Sequence, residues 1–357
     1  MHLDIPHSRS LQKFLIVFVI GVDILAVLAL TGLFLSFPHQ QPLPLIPAAL
    51  PAQPTYHLLF TGDIMLDRLV KKQIQKQQDP LYPFLLIAST TQAADLTISN
   101  LEGPVTDRGT RSGSIYSFHF EPAGTINALQ FAGFDVVASA NNHIFDYGRV
   151  GILDTLTHLR DAGISAVGIG ADATEANTPV IKILGDTKIA FLSYTNLYPT
   201  GLEAGVGWPG ISSFSITNTS EAIRYIKESK QADVVVVLFH GGIEYQTHST
   251  AQQRQIARAL IDAGADLFIG THPHVTEEVE KYTSSVIPAK AGIQEPHVGF
   301  IAYSLGNFVF DQDFSKETMN GLMAEAAIKD KRVIDFKKIP IRLTPTFQPF
   351  AVEPDGL

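Results

Sequence analysis

Five short stretches of this 357-residue chain carry side chains able to hold a cation or move a proton. They are Gly62-Asp63-Ile64-Met65-Leu66-Asp67-Arg68, Ser99-Asn100-Leu101-Glu102-Gly103, Ala140-Asn141-Asn142-His143 with Phe145-Asp146-Tyr147-Gly148, Phe239-His240-Gly241-Gly242-Ile243-Glu244, and Gly270-Thr271-His272-Pro273-His274. Cys is absent, so thiolate zinc sites, disulfides and Cys nucleophiles are excluded, and any metal falls to His, Asp, Glu or Asn. His272 and His274 stand two apart, so in extended chain they share a face and can reach one ion. Each stretch alone has an ordinary reading, in which an Asp caps a helix or a turn and a His makes a structural hydrogen bond. Five together favour a metal site. Oxygen and imidazole donors suit Mn²⁺, Fe²⁺ or Zn²⁺, and one or two ions are compatible with the number of donors. Two ions about 3.5–4 Å apart would activate water and clamp a phosphoryl or carbonyl oxygen.

Several polar residues nearby admit two readings. Glu244 is either a base or a group that orients a ligand His. Asp67 and Arg68 either contact substrate or pair with each other and begin a helix. Asn100 and Asn307 are candidate substrate contacts, although an Asn after a strand is also a common turn former. Asp146 either orients His143 or caps the helix that starts near Gly148.

The elements that must position these groups follow from the apolar pattern. Runs at 56–61, 95–99, 135–139, 164–168, 233–239 and 266–270 are nearly continuous in Val, Ile, Leu and Phe, as in strands covered on both faces. Between them, 124–132, 148–162, 220–230 and 251–263 repeat apolar residues at helical spacing, and Gly133, Gly163 and Gly264 end three of these. A hairpin is expected for 180–184 and 188–194 around Gly185-Asp186-Thr187, with later strands at 299–305, 322–328 and 332–343. The polar stretches thus fall at strand ends, where α/β folds place their ligands. Two packed sheets with helices outside are expected. Residues 282–297 lack a period and read as an inserted surface loop.

The remaining segments concern location. Residues 14–37 contain a single charged group, Asp23, and as a helix would span about 36 Å, enough for a membrane. With Arg9 and Lys13 before this run and no basic residue until Arg68, residues 1–13 are expected in the cytoplasm and the rest across the membrane. Six prolines between 38 and 54 make 38–55 a semi-rigid spacer. The folded domain is expected over 56–345, with a tail at 346–357. A formal charge of −9 excludes nucleic acid as an electrostatic partner. No Gly-x-Ser-x-Gly elbow and no glycine-rich phosphate loop is present.

The ordered blocks GDIMLDR, NLEGPVTD, ANNHIFDYG, FHGGIEY, GTHPHV and YSLGNFVFDQ resemble the signature of the CapA family, proteins of bacterial capsule and poly-γ-glutamate production. The resemblance covers roughly residues 56–330. It implies a calcineurin-like metallophosphoesterase fold, a four-layer α/β/β/α sandwich behind an amino-terminal anchor. It also implies roles: Asp63, Glu102, Asn142, His240, His272 and His274 as metal ligands, and His143 as the acid that protonates a leaving group or stabilises charge. Two positions depart from the broader pattern, because Met65 stands where a His ligand is expected and Ile144 where an acidic residue commonly follows Asn-His. Two functions follow from the resemblance. One is an anchored metallohydrolase that cleaves a phosphoester or amide of an anionic surface polymer. The other is a non-catalytic component that binds the polymer and partner membrane proteins of capsule assembly.

Overall fold

The computed structural model describes residues 54–198, 200–284 and 296–353. At its centre lies the strand Tyr56–Ile64, whose alternating side chains serve two cores. Leu58 and Phe60 pack between two sheets, against Phe191, Val236 and Ile269 of the second sheet. Leu59 and Ile64 face the other way, onto Val70, Leu129 and Leu159 of the outer helices. The same alternation divides the strand Val234–His240. Val234, Val236 and Leu238 join the core between the sheets, while Val235, Val237 and Phe239 meet Ile223, Ile256 and Leu260 on the opposite helices. Helix, sheet, sheet and helix therefore stack in four layers. The near-continuous apolar strands are those that must be covered on both faces.

The first sheet runs, in spatial order, Pro349–Ala351, Arg332–Leu343, Asn320–Lys329, Tyr56–Ile64, Leu96–Leu101, Val136–Ala138 and Ser165–Val167. The last four are mutually parallel. The short strand Asn307–Val309 adds to the end of Tyr56–Ile64, pairing Asp63 with Asn307. The second sheet runs Val279–Thr283, Val298–Ala302, Leu267–Thr271, Val234–His240, Thr187–Thr195 and Val180–Leu184, with parallel pairing through its four central strands. Helices Arg68–Gln77, Pro122–Phe131 and Gly148–Asp161 carry the buried residues that cover the first sheet, and Ile216–Glu228 and Ala251–Asp262 cover the second. Thr250 starts the last of these with a reciprocal capping box to Gln253.

The expected hairpin forms, Val180–Leu184 against Thr187–Thr195. One helix extends beyond the sequence reading, and two boundaries differ from it. A helix does begin at Asp67-Arg68, with Asp67 as its N-cap, but its run to Gln77 carries no apolar signal, because its polar sequence RLVKKQIQKQ buries only Val70. The domain does not end at residue 345, since Phe347 is buried and Pro349–Ala351 pairs with Arg332–Leu343. The expected 282–297 loop begins too early, since Tyr282 and Thr283 pair with Gly299 and Val298 in an antiparallel ladder. Residues 285–295 of that loop, the expected anchor at 14–37 and most of the 38–55 spacer lie outside the described residues. Among the described residues no helix is long and apolar enough to cross a membrane.

Candidate metal centre

The parallel strands of both sheets end side by side, and their carboxyl-terminal residues meet across the gap. Asn100, at the end of one sheet, lies 3.2 Å from the His240 ring at the end of the other. His272 donates its backbone N–H to Asp63, 209 positions away, over 3.1 Å. A close backbone approach holds this junction. The Asp63 N–H donates to the Gly306 carbonyl, and a Cβ on Gly62 would lie 1.9 Å from that same oxygen.

Asp63, Glu102 and His240 form one group whose ligand atoms lie within 4.8 Å of one another, and Glu244, His272 and His274 form a second. The two adjoin, with His274 Nδ1 3.5 Å from Asp63 Oδ2 and His274 Nε2 3.8 Å from Glu102 Oε1. Asn142 Oδ1 lies 2.8 Å from His240 Nε2, which brings the expected Asn ligand into the first group. His143 Nδ1 lies 2.7 Å from Asp146 Oδ2, and His143 Nε2 lies 3.8 Å from Glu102 Oε1. All seven residues that the family resemblance marks, Asp63, Glu102, Asn142, His143, His240, His272 and His274, thus converge.

Burial and charge are severe here. Glu102 is 0 % exposed, and among the described residues neither of its carboxylate oxygens has a hydrogen-bond donor and His272 Nδ1 has no partner. Burial, with the Asp63 charge beside it, pushes the Glu102 carboxyl well above the usual range. Burial also pushes Asp63 up, but is outweighed by the His274 hydrogen bond, the His240 and His274 charges and Asn100, which hold it near 2. Burial and the neighbouring imidazole charges push His240 well below its ordinary value and His272 down to about 3, against the opposing pull of Asp63. Unprotonated imidazoles and an unpartnered carboxylate at this depth fit a divalent cation, which would give the orphaned oxygens a partner.

The other expected site residues fall into distinct places. Asp146 also accepts from the Phe118 N–H at 2.8 Å, and the helix that follows has no side-chain cap, so its carboxylate orients His143 and does not cap. Glu244 is exposed and close to His272 and His274, so it is placed as a further donor. Asn100 and Asn307 are buried rather than open to substrate. Asn100 Nδ2 donates to Asp63 over 2.7 Å, and Asn307 Oδ1 lies 3.0 Å from His274 Nδ1, leaving Nε2 directed at Glu102. Asp67 spends its carboxylate on the Arg68 and His119 N–H groups. Arg68 pairs with Asp311, not with the Asp67 side chain. Met65 is buried in the apolar core, and its sulfur accepts from the Asp67 N–H. Ile144 is likewise a core residue.

Four supporting residues escaped the sequence reading. Asn141 donates to Asn100 and Leu101 and accepts from the His143 N–H, fixing the turn between the strand and His143. Thr271 Oγ1 lies 3.0 Å from His240 Nδ1. Phe118 stacks on the His143 ring at 4.2 Å, and Phe310 meets His274 at 4.6 Å. Asn141, Thr271 and Phe310 stood inside quoted motifs. Phe118 lies in a loop with no motif to mark it.

Fold and donors together define a two-sheet α/β protein with a buried carboxylate–imidazole cluster of metal-binding type. Residues 57–312 match the family model of the bacterial capsule synthesis protein PGA_cap, and the chain belongs to that family, the family of the CapA proteins. It is similar to the PGA biosynthesis protein CapA of Bacillus subtilis, with 34% identity over 79% of this chain and 70% of that protein. The capsule biosynthesis protein CapA of Bacillus anthracis is 30% identical over 80% of this chain and 67% of its own length. Among solved structures, a novel phosphatase of Mycoplasma pneumoniae superposes with a TM-score of 0.49 at 14% identity, covering 85% of this chain and 96% of that one.

Proposed function

We propose that this chain is a metal-dependent hydrolase of surface-polymer production, of metallophosphoesterase type, which cleaves a phosphoester or amide in an anionic polymer of the poly-γ-glutamate kind or in its precursor. The observation that carries this reading is Glu102, fully buried with both carboxylate oxygens unpartnered among Asp63, His240, His274 and His143. A buried ionisable group without partners is costly, and a bound cation relieves that cost. Asp63, Glu102, Asn142 and His240 would hold one ion, and His272, His274 and Glu244 a second. Such an ion, when bound, polarises a phosphoryl or carbonyl oxygen and makes water a stronger acid. The chain's own groups supply the proton. With Nδ1 donating to Asp146, His143 is held in one orientation by that carboxylate and by the Phe118 ring, and its Nε2 can carry a proton to a departing oxygen or nitrogen.

On this reading residues 14–37 anchor the protein in the cell membrane, the amino terminus stays in the cytoplasm, and the domain meets polymer and other capsule-synthesis membrane proteins on the outer side. A second reading, a polymer-binding component of assembly or export without catalysis, is favoured by one observation: position 65 carries a core methionine and not a ligand. Metal content of the full chain measured by mass spectrometry after mild dialysis, beside His272→Ala, separates the two. One or two equivalents of Mn, Fe or Zn, lost in the variant, with turnover of a chromogenic phosphoester or a γ-glutamyl amide, support the hydrolase. Metal without turnover of either substrate favours the binding component, and absence of metal from both proteins refutes the metal site.

A further inference from the structure

Arg68 is the only cation whose side chain is wedged into the ring of aromatic groups around this centre among the described contacts. Its guanidinium carbon lies 5.4 Å from the Phe118 ring and 5.9 Å from the Phe310 ring. Those two rings also pack on His143 and His274, respectively. The guanidinium is therefore one aromatic ring removed from both the candidate acid and a candidate ligand. Its placement is over-determined. Arg68 adopts a left-handed backbone conformation, φ 51°, which a non-glycine residue takes at a cost of about 1 kcal/mol or more. Asp311, 243 positions away, accepts from Nε at 3.0 Å, from Nη2, and from the Leu69 N–H at 2.8 Å. The Asp311 side chain is 1% exposed, while that of Arg68 is 33% exposed, so the carboxylate braces the cation from behind.

This brace uses one edge of the guanidinium and leaves another. Nη1 makes no hydrogen bond among the described residues, and a guanidinium carries five N–H donors in a rigid fork. A surface cation needed only for solubility would not be held in a strained backbone by a buried carboxylate. Asp311 also sets the charge of the place. Arg68 and Asp311 together are neutral, so the free edge offers directed donors without a large positive field. That combination suits a singly charged carboxylate better than a phosphate dianion, which calls for net positive charge. The aromatic rings shield the faces of the guanidinium and leave its free edge open to such a contact.

We propose that the free edge of the Arg68 guanidinium, held by Asp311 between Phe118 and Phe310, is a carboxylate subsite that seats an acidic side group of the polymer beside the metal-type centre. The subsite rests on the proposed function for its substrate class. Arg68 and Asp311 touch none of the candidate metal ligands, so the two readings can fail separately.

The test is binding of fluorescein-labelled oligo-γ-glutamate to the full chain in detergent, by fluorescence anisotropy, with manganese present. An oligoglutamine of equal length and inorganic polyphosphate serve as comparators. Arg68→Met should weaken glutamate-oligomer binding about 10- to 100-fold, the range for a lost hydrogen bond to a charged group. It should raise KM more than it lowers kcat, and leave both metal content and oligoglutamine binding unchanged. Arg68→Lys keeps the charge but not the fork and should recover only part of the affinity, and Asp311→Asn should lose affinity by freeing the fork to turn. Thermal unfolding checks that each variant is folded. Equal binding by folded Arg68→Met overturns the subsite, as does a matching loss for oligoglutamine, which would mark a packing role. Tighter, Arg68-dependent binding of polyphosphate than of the glutamate oligomer also overturns it. If Arg68-dependent carboxylate binding persists in a protein that holds no metal and turns nothing over, the hydrolase reading fails and the subsite stands.

Discussion

Replacing Glu102 by Gln should change the sign of its effect on stability when metal is added. In metal-free protein the native carboxyl is fully buried, both oxygens are unpartnered, and Asp63 stands beside it. An unsatisfied buried polar group costs about 1–3 kcal/mol, more when charged. Gln stands in for the protonated carboxyl at nearly constant volume and spares the cost of protonating it, so near neutral pH the metal-free variant should gain about 2 kcal/mol, or roughly 4–5 °C in Tm for a domain of this size. The gain should grow with pH. A carboxyl raised above its ordinary value keeps a proton in the folded state that the unfolded chain releases near pH 4.5, so rising pH favours unfolding of the parent and not of the variant. With manganese the order reverses. Metal at 100 times its Kd stabilises the parent by about 2.7 kcal/mol, again some 5 °C, and the variant by much less. Differential scanning calorimetry of both proteins in chelator and in manganese, from pH 5 to 8, reads all of this. A variant less stable than the parent in chelator, or one with the same metal-induced shift, would refute the assignment of Glu102 as a buried carboxyl that gives up its proton for a cation.

Other outcomes follow from the same structure. Asp146→Asn should cut turnover about 10²-fold or more while metal content stays at the parent level, because Asp146 touches His143 and not the ligands; unchanged turnover, or lost metal, removes His143 from the role of acid. Burial, together with the Glu278 charge and against the Gln253 hydrogen bond, pushes Glu277 up to about 7. Its proton is retained in the folded state while the unfolded carboxyl has released one, so this group withdraws up to about 3 kcal/mol of stability as pH rises from about 4.5 to about 7. Glu277→Gln should flatten that fall in a melting series, and parallel profiles of variant and parent would contradict it. Gly62→Ala drives a Cβ into the Gly306 carbonyl and should cost about 3 kcal/mol and displace Asp63 enough to lose metal, whereas Gly205→Ala, whose Cβ meets nothing nearer than 3.7 Å, should shift denaturant midpoints little. Equal effects at the two positions would show that the strand junction is not the constraint.

How much of this was legible beforehand depends on the range of the interactions. Strands such as 233–239 announced themselves because a strand covered on both faces must be apolar almost throughout, and that is a property of consecutive residues. The candidate ligands were legible for a related reason, since in parallel sheets the chain turns at the carboxyl ends of strands, and polar groups sit in the residue or two that follow. Asp63, Glu102, Asn142, His143, His240, His272 and His274 could thus be named one by one from local pattern and family resemblance. Roles that depend on a partner far along the chain could not. Asn100 and Asn307 read as substrate contacts until the fold showed their amides spent on Asp63 and His274. Asp146 admitted two readings until Phe118, 28 positions upstream, came to share its carboxylate. Whether Met65 faces the site or the core is decided by the hydrophobic cluster it joins, and that cluster is assembled from both ends of the domain. Asp311 stood inside the YSLGNFVFDQ block, but its partner was not legible there, because an acid acquires one only when the chain returns to Arg68. Local pattern and family resemblance thus identified the candidate ligands and the ends of the strands that bear them. Tertiary structure alone decided which of the neighbouring polar groups remain free and which are spent holding the others, because hydrogen bonds and burial are settled between residues that only folding brings together.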